Sequence, residues 1–97
     1  MGEVVVSAGN YEEGFKCYDK ALEIDPDYTT TLYNKGNAFA KLGKYEEALA
    51  CYNKAIECEP AYIDVWNSKG ELLKKMGAIE DGEKCFSEAM RQKILNW

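Results

Sequence analysis

Through residues 29–62 the large apolar side chains Leu32, Phe39 and Leu42 recur at helical spacing. After a break at Gly43 the same spacing resumes with Tyr45, Ala48, Leu49, Tyr52, Ala55 and Ile56. This pattern predicts two amphipathic helices. Gly43 is placed to end the first as a left-handed C-cap, and Pro60 stands just past the second, where it cannot extend the hydrogen-bond ladder. Each helix is expected to hold about 14 residues, or about 21 Å at a rise of about 1.5 Å per residue. Connections of about two to four residues force the neighbouring helices to run antiparallel.

The pattern repeats with a period of 34 residues. Gly9, Gly43 and Gly77 share one phase, as do Tyr11, Tyr45 and Ile79; Cys17, Cys51 and Cys85; Tyr18, Tyr52 and Phe86; Ala21, Ala55 and Ala89; and Leu22, Ile56 and Met90. Gly36 and Gly70 form a further column with Gly2 in phase, and Pro26 and Pro60 another that the last unit lacks. Small residues in fixed columns, Gly36 and Gly70 on the first helices and Ala48 and Ala55 on a second, leave room for aromatic knobs such as Phe39 and Tyr52 to seat between closely approaching helices.

Leu32, Gly36, Phe39, Ala48, Tyr52, Ala55 and Pro60 stand where the tetratricopeptide repeat (TPR) places its large, Gly, aromatic, Ala, aromatic, Ala and Pro residues, and Trp66, Gly70, Leu73, Phe86 and Ala89 repeat the pattern. The chain resembles that family over essentially its whole length. The resemblance implies an all-α fold: antiparallel helix pairs stacked as a right-handed TPR solenoid of about two and a half to three repeats. A single domain over 1–97 is expected, divided into a truncated first repeat 1–28, a second repeat 29–62 and a third repeat with a C-terminal extension 63–97. It also implies a concave groove, lined by the first helices, that receives a peptide or an extended protein segment. The groove positions by resemblance are Thr30, Tyr33, Asn34, Asn37, Ala40 and Lys41 in the middle unit, and Asp64, Asn67, Ser68, Glu71, Lys74 and Lys75 in the last. Some TPR domains grip the acidic C-terminus of heat-shock chaperones with a two-carboxylate clamp. Only Asn34 fits that clamp, because Asp64 and Ser68 stand where it places Lys and Arg.

Side-chain amides at Asn34, Asn37 and Asn67 can donate to and accept from a peptide backbone at once. Charge divides between the layers. The segment 29–42 carries Lys35 and Lys41 and no acid, whereas 45–58 sets Glu46, Glu47 and Glu57 against Lys54 alone. Lys41, Lys74 and Lys75 are therefore expected to form a basic lip that attracts an acidic side chain or a terminal carboxylate. Acids in first turns and lysines in last turns are also ordinary complements to the helix dipole. Lys35 and Lys69 fall one step off the groove, and their stems are expected to cover apolar surface.

The first unit begins part-way through its first helix, with only residues 2–8 before Gly9 and a β-branched run at Val4, Val5 and Val6 that favours helix poorly. The fragmentary start points to a piece of a longer array. Gly14 and Gly82 replace Ala48 in the outer units, each costing about 1 kcal/mol of helix stability, so the outer repeats are expected to open first. The last unit has Ile94 where Pro would stop its helix, so that helix is expected to run past residue 92 and to leave Ile94, Leu95 and Trp97 without a solvating cap. Self-association, as a homo-oligomer built through these residues and Val4, Val5 and Val6, is the alternative function that follows.

Ninety-seven residues exclude a two-domain enzyme. A net charge of -5 opposes general nucleic-acid binding, and no apolar run approaches the roughly 18 residues a membrane span needs. The N-terminus lacks the basic region of a secretion signal, and Val6 stands where a myristoylation signal wants Ser or Thr. The chain holds no histidine and no CxxC pair, so zinc motifs fail on ligand supply, and no cofactor is expected. Equivalent helices of neighbouring units lie about 8–10 Å apart or more, beyond the roughly 7 Å limit of a disulfide, so Cys17, Cys51 and Cys85 are expected as free thiols in a cytoplasmic protein. Without histidine, a phosphate loop or a nucleophile elbow, and with Glu12, Glu13, Glu46, Glu47, Glu80 and Asp81 recurring at the period, the carboxylates mark helix starts and no catalytic site is expected.

Overall fold

The computed structural model describes residues 8–95, with side chains from Glu13 onward. Five helices follow one another: α1 (Ala8–Ile24), α2 (Thr29–Lys41), α3 (Tyr45–Cys58), α4 (Ile63–Lys75) and α5 (Ile79–Leu95). The described residues contain no strand, and α2 with α3 and α4 with α5 form two antiparallel pairs that stack as a helical-repeat solenoid. None of these helices is long and apolar enough to cross a membrane.

The turns repeat with the sequence. Gly43 and Gly77 adopt φ values of 80° and 92°. Each sits in a Schellman motif, in which Lys44 N–H donates to the Phe39 carbonyl at 2.9 Å and Ala78 N–H to that of Leu73 at 2.8 Å. Between pairs, Tyr28 N–H donates to Asp25 O at 3.1 Å and Tyr62 N–H to Glu59 O at 3.0 Å. These hydrogen bonds close turns whose second residues are Pro26 and Pro60, positions that suit the fixed φ of proline. Where Ile94 replaces that proline, α5 continues to Leu95, as the sequence predicts. Gly9 departs from its column: it lies inside α1, two residues before the phase at which α3 and α5 begin.

Leu32, Ala48, Tyr52, Ala55, Val65 and Leu72 form one continuous core across α2, α3 and α4. Ala48, Ala55 and Val65 are wholly buried. On the other side of α2, Phe15 stacks on Phe39 with ring centroids 4.4 Å apart, and Lys35 reaches Asp19 at 2.7 Å. Both contacts join α1 to the pair. Lys35 and Lys69 also lie over the rings of Phe39 and Trp66, at 5.9 and 5.7 Å, which is the covering role expected of their stems.

The glycines divide by function. A methyl group on Gly36 would stand 2.7 Å from the buried Tyr52 ring, so this position must be empty for the knob to seat. Gly82 corrects the expectation that it is merely a weaker alanine. Its Cβ would meet the Gly70 carbonyl at 2.7 Å, and a Cβ on Gly70 would meet the Gly82 carbonyl at 2.9 Å. The α4–α5 pair thus approaches backbone to backbone, closer than Ala48 allows in α2–α3. Among the described residues, the atom nearest to a Cβ on Gly14 belongs to Tyr18, 3.9 Å away.

Candidate functional site

The first helices bring one row of residues together. A cleft of about 250 Å³ opens between α2 and α4, lined by Asn37, Ala40, Lys41, Tyr52, Ser68, Glu71, Leu72 and Lys75. A second cleft, of about 260 Å³, is lined by Tyr18, Asn34, Asn37, Ala38 and Lys41. The two are repeat-related. Adding 34 to Tyr18, Asn34, Asn37, Ala38 and Lys41 gives Tyr52, Ser68, Glu71, Leu72 and Lys75. One wall of each cleft is therefore the same helix face, and its floor carries the same tyrosine.

The floor is held by a polar chain. Tyr52 is 2% exposed overall, but its hydroxyl emerges in the cleft and donates to Asn37 Oδ1. Tyr33 Oη lies 3.1 Å from Ser68 Oγ and bridges α2 to α4, while its ring packs against Tyr52 and Tyr62 at 6.2 and 5.6 Å. Burial, followed by proximity to Tyr33, Cys51 and Glu71, pushes the Tyr52 hydroxyl up to about 12, so it remains a neutral donor throughout the physiological range. Asn37 uses its carbonyl on Tyr52 and keeps its amide donors for the cleft.

Of the residues named from sequence, Asn34, Asn37, Ala40, Lys41, Ser68, Glu71 and Lys75 line the two clefts, and Tyr33 braces the wall between them. Thr30, Asp64 and Asn67 are exposed and line neither cleft. Lys74 departs from the basic lip: its ammonium lies over the Phe86 ring at 5.1 Å and 3.9 Å from Glu83, so it is turned onto α5. The reason lies in the repeat. Position 74 corresponds to Ala40, which faces α4, and beyond α4 the described chain sets no further first helix. Tyr18, Ala38, Tyr52 and Leu72 were missed as lining residues. The Tyr18, Tyr52 and Phe86 column was visible, but its hydroxyls were read only as parts of packing knobs.

Outside the groove, a depression of about 650 Å³ follows Glu80, Glu83, Lys84, Ser87, Glu88 and Arg91. All six belong to α5, so it has no opposing wall. Ile94 and Leu95 are exposed, whereas Val4, Val5, Val6 and Trp97 lie outside the described residues. Cys17 is exposed, Cys51 and Cys58 half-buried and Cys85 buried, all as free thiols. Burial raises the Cys51 and Cys85 thiols, and at Cys58 desolvation and a hydrogen bond to Asp27 act together in the same direction. These three thiols are thereby held in their unreactive protonated form. Among the described residues no three His, Cys, Asp or Glu side chains converge to hold a metal ion.

A family model described as TPR repeat matches residues 2–43 and 36–77. No curated protein matches the chain. Among solved structures, a crystal structure of MamA superposes with a TM-score of 0.85 at 20% identity, over 90% of this chain and 51% of that one. MamA MSR-1 C2 gives 0.82 at 21% identity, over 99% and 55%. The second TPR of Spaghetti (RPAP3), bound to the HSP90 peptide SRMEEVD, gives 0.79 at 24% identity, over 87% and 78%. The chain thus spans about half the length of the MamA chains, and these likenesses establish its fold.

Proposed function

The chain belongs to the tetratricopeptide-repeat family, and from that premise we propose that it is a non-catalytic interaction adaptor whose groove receives an extended, acidic peptide or protein segment. One observation carries this reading: the same cleft occurs twice, with Lys41 and Lys75 at the same place on its rim and a tyrosine, Tyr18 or Tyr52, in its lining. Two equivalent subsites one repeat apart suit a ligand that runs past both. Asn34, Asn37 and Ser68 offer backbone-directed hydrogen bonds, and the lysines offer charge attraction. Glu71 beside Lys75 tempers that attraction in the second subsite. On this reading residues 29–62 and 63–97 are the two repeats that build the groove, and 1–28 supplies the Tyr18 side of it.

The peptide-bound RPAP3 domain supports a peptide as the ligand class. Asp64 and Ser68, standing where the chaperone clamp would place Lys and Arg, argue for a different sequence preference. Cysteines that are free rather than disulfide-bonded fit a reducing, cytoplasmic setting, and the acidic balance of the chain fits a protein partner better than nucleic acid or membrane.

The test is fluorescence anisotropy with short labelled peptides of acidic, neutral and basic composition, at two salt concentrations. Acidic peptides are expected to bind best, to weaken with salt, and to lose about tenfold or more on the Lys41→Glu, Lys75→Glu double substitution. Lys74→Glu should bind as wild type does. No preference for acidic peptides, or equal losses at Lys74 and Lys75, would refute the groove reading.

A second reading, self-assembly, is favoured by the exposure of Met90, Ile94 and Leu95, which are 63, 64 and 65% accessible.

A further inference from the structure

We infer that a second copy of this chain covers the outer face of α5, the two α5 helices pairing antiparallel about a two-fold axis near Phe86 and Ser87. This rests on the self-assembly reading and adds its surface, direction and stoichiometry.

The internal repeat shows what this face lacks. On α3, Tyr45, Leu49 and Ile56 are partly buried against the core that holds Val65 and Leu72 of α4. The residues 34 positions later on α5 are Ile79, Glu83 and Met90. Ile79 is 49% and Met90 63% exposed, and Ile94 extends the same stripe by one more turn. Nothing among the described residues covers this stripe. A further first helix, packed as α4 packs on α3, would set its apolar side over Glu83, where α3 offers Leu49. The α5 face is therefore ill suited to continuing the solenoid and needs a partner that meets Glu83 with a cation.

A second copy supplies one. The first half of α5 holds the acids Glu80, Asp81 and Glu83 with Lys84 as its one base, and the second half the bases Arg91 and Lys93 with Glu88 as its one acid. In a two-fold pair, residue i meets j and j meets i. An axis between Phe86 and Ser87 sets Ile79 opposite Ile94 of the other copy and Glu83 beside its Met90 and Arg91. A parallel pair would set acid on acid. The present partners of these charges are weak: Glu83 meets Lys74 at 3.9 Å, and Arg91 meets Glu88 at 3.5 Å on the solvent side. Neither charge is withheld from a partner.

Sedimentation equilibrium of the full chain over a concentration series tests the pairing. The wild type is expected to follow a monomer–dimer equilibrium. Glu83→Arg and Arg91→Glu should each weaken the dimer about tenfold, and the double swap should restore it, since each contact occurs twice about the axis. Circular dichroism checks that the variants remain folded, which both exposed positions allow. The Lys41→Glu, Lys75→Glu groove variant should dimerise as wild type does. A dimer indifferent to the swaps, a double variant that fails to recover, or mass growing past the dimer would overturn this pairing while leaving self-assembly in place. A monomer at every concentration would overturn both.

Discussion

Gly14 and Gly82 occupy the same phase of the repeat, and helix propensity predicts the same gain of about 1 kcal/mol for replacing either with alanine. The structure predicts opposite signs. Among the described residues the new methyl group at Gly14 would meet only Tyr18, at 3.9 Å, an ordinary contact, so Gly14→Ala should stabilise the chain by most of that gain. At Gly82 the methyl group would stand 2.8 Å from Lys74 Cγ, which can swing aside, and 2.7 Å from the Gly70 carbonyl, which belongs to a helix backbone and cannot. Relieving that overlap means separating α4 from α5, an overpacking change that costs about 1–3 kcal/mol. The propensity gain is common to both variants and cancels in their comparison, so Gly82→Ala should be less stable than Gly14→Ala by about 1–3 kcal/mol. Urea unfolding followed by far-UV circular dichroism measures this difference from the two midpoints and slopes. Equal shifts of the same sign would refute the argument that the α4–α5 approach requires glycine.

Stability should fall as pH rises from the unfolded tyrosine value of 10.0 through the folded Tyr52 value of about 12, because the native state holds the proton that the unfolded chain releases. Tyr52→Phe should remove this alkaline component, and at neutral pH it should lose about 1 kcal/mol with the hydrogen bond to Asn37, both read from urea midpoints against pH. Leu72, 2% exposed where α4 meets the central core, should lose about 2–5 kcal/mol on substitution by Ala, detected as a lower thermal midpoint and weaker hydrogen-exchange protection in α4.

The groove was legible in part. Asn34, Asn37, Lys41, Ser68, Glu71 and Lys75 lie in the clefts because helical phase fixes which residues share a face, and phase is a property of sequence. Lys74 shares the phase of Ala40, yet its side chain is turned onto Phe86 and Glu83. A long flexible side chain takes the contact its surroundings offer, and those surroundings differ between an inner and an outer repeat. The Tyr52 hydroxyl escaped for the converse reason: a ring assigned correctly to the core can still carry its polar end to the surface.

The sequence alone determined the helices and where they stop, since Gly43 and Gly77 take the left-handed conformation their caps require and Pro26 and Pro60 sit in turns that proline suits. These are local effects, set within a few residues along the chain. Tertiary structure alone decided how closely each pair of helices approaches, and hence that Gly82 faces the Gly70 carbonyl where Ala48, in the same column, has room for its methyl group. It also decided which members of a repeated column face a neighbouring helix and which face solvent. Such distinctions depend on atoms from distant parts of the chain meeting at van der Waals range, and the 34-residue period, being the same for every unit, carries no record of them.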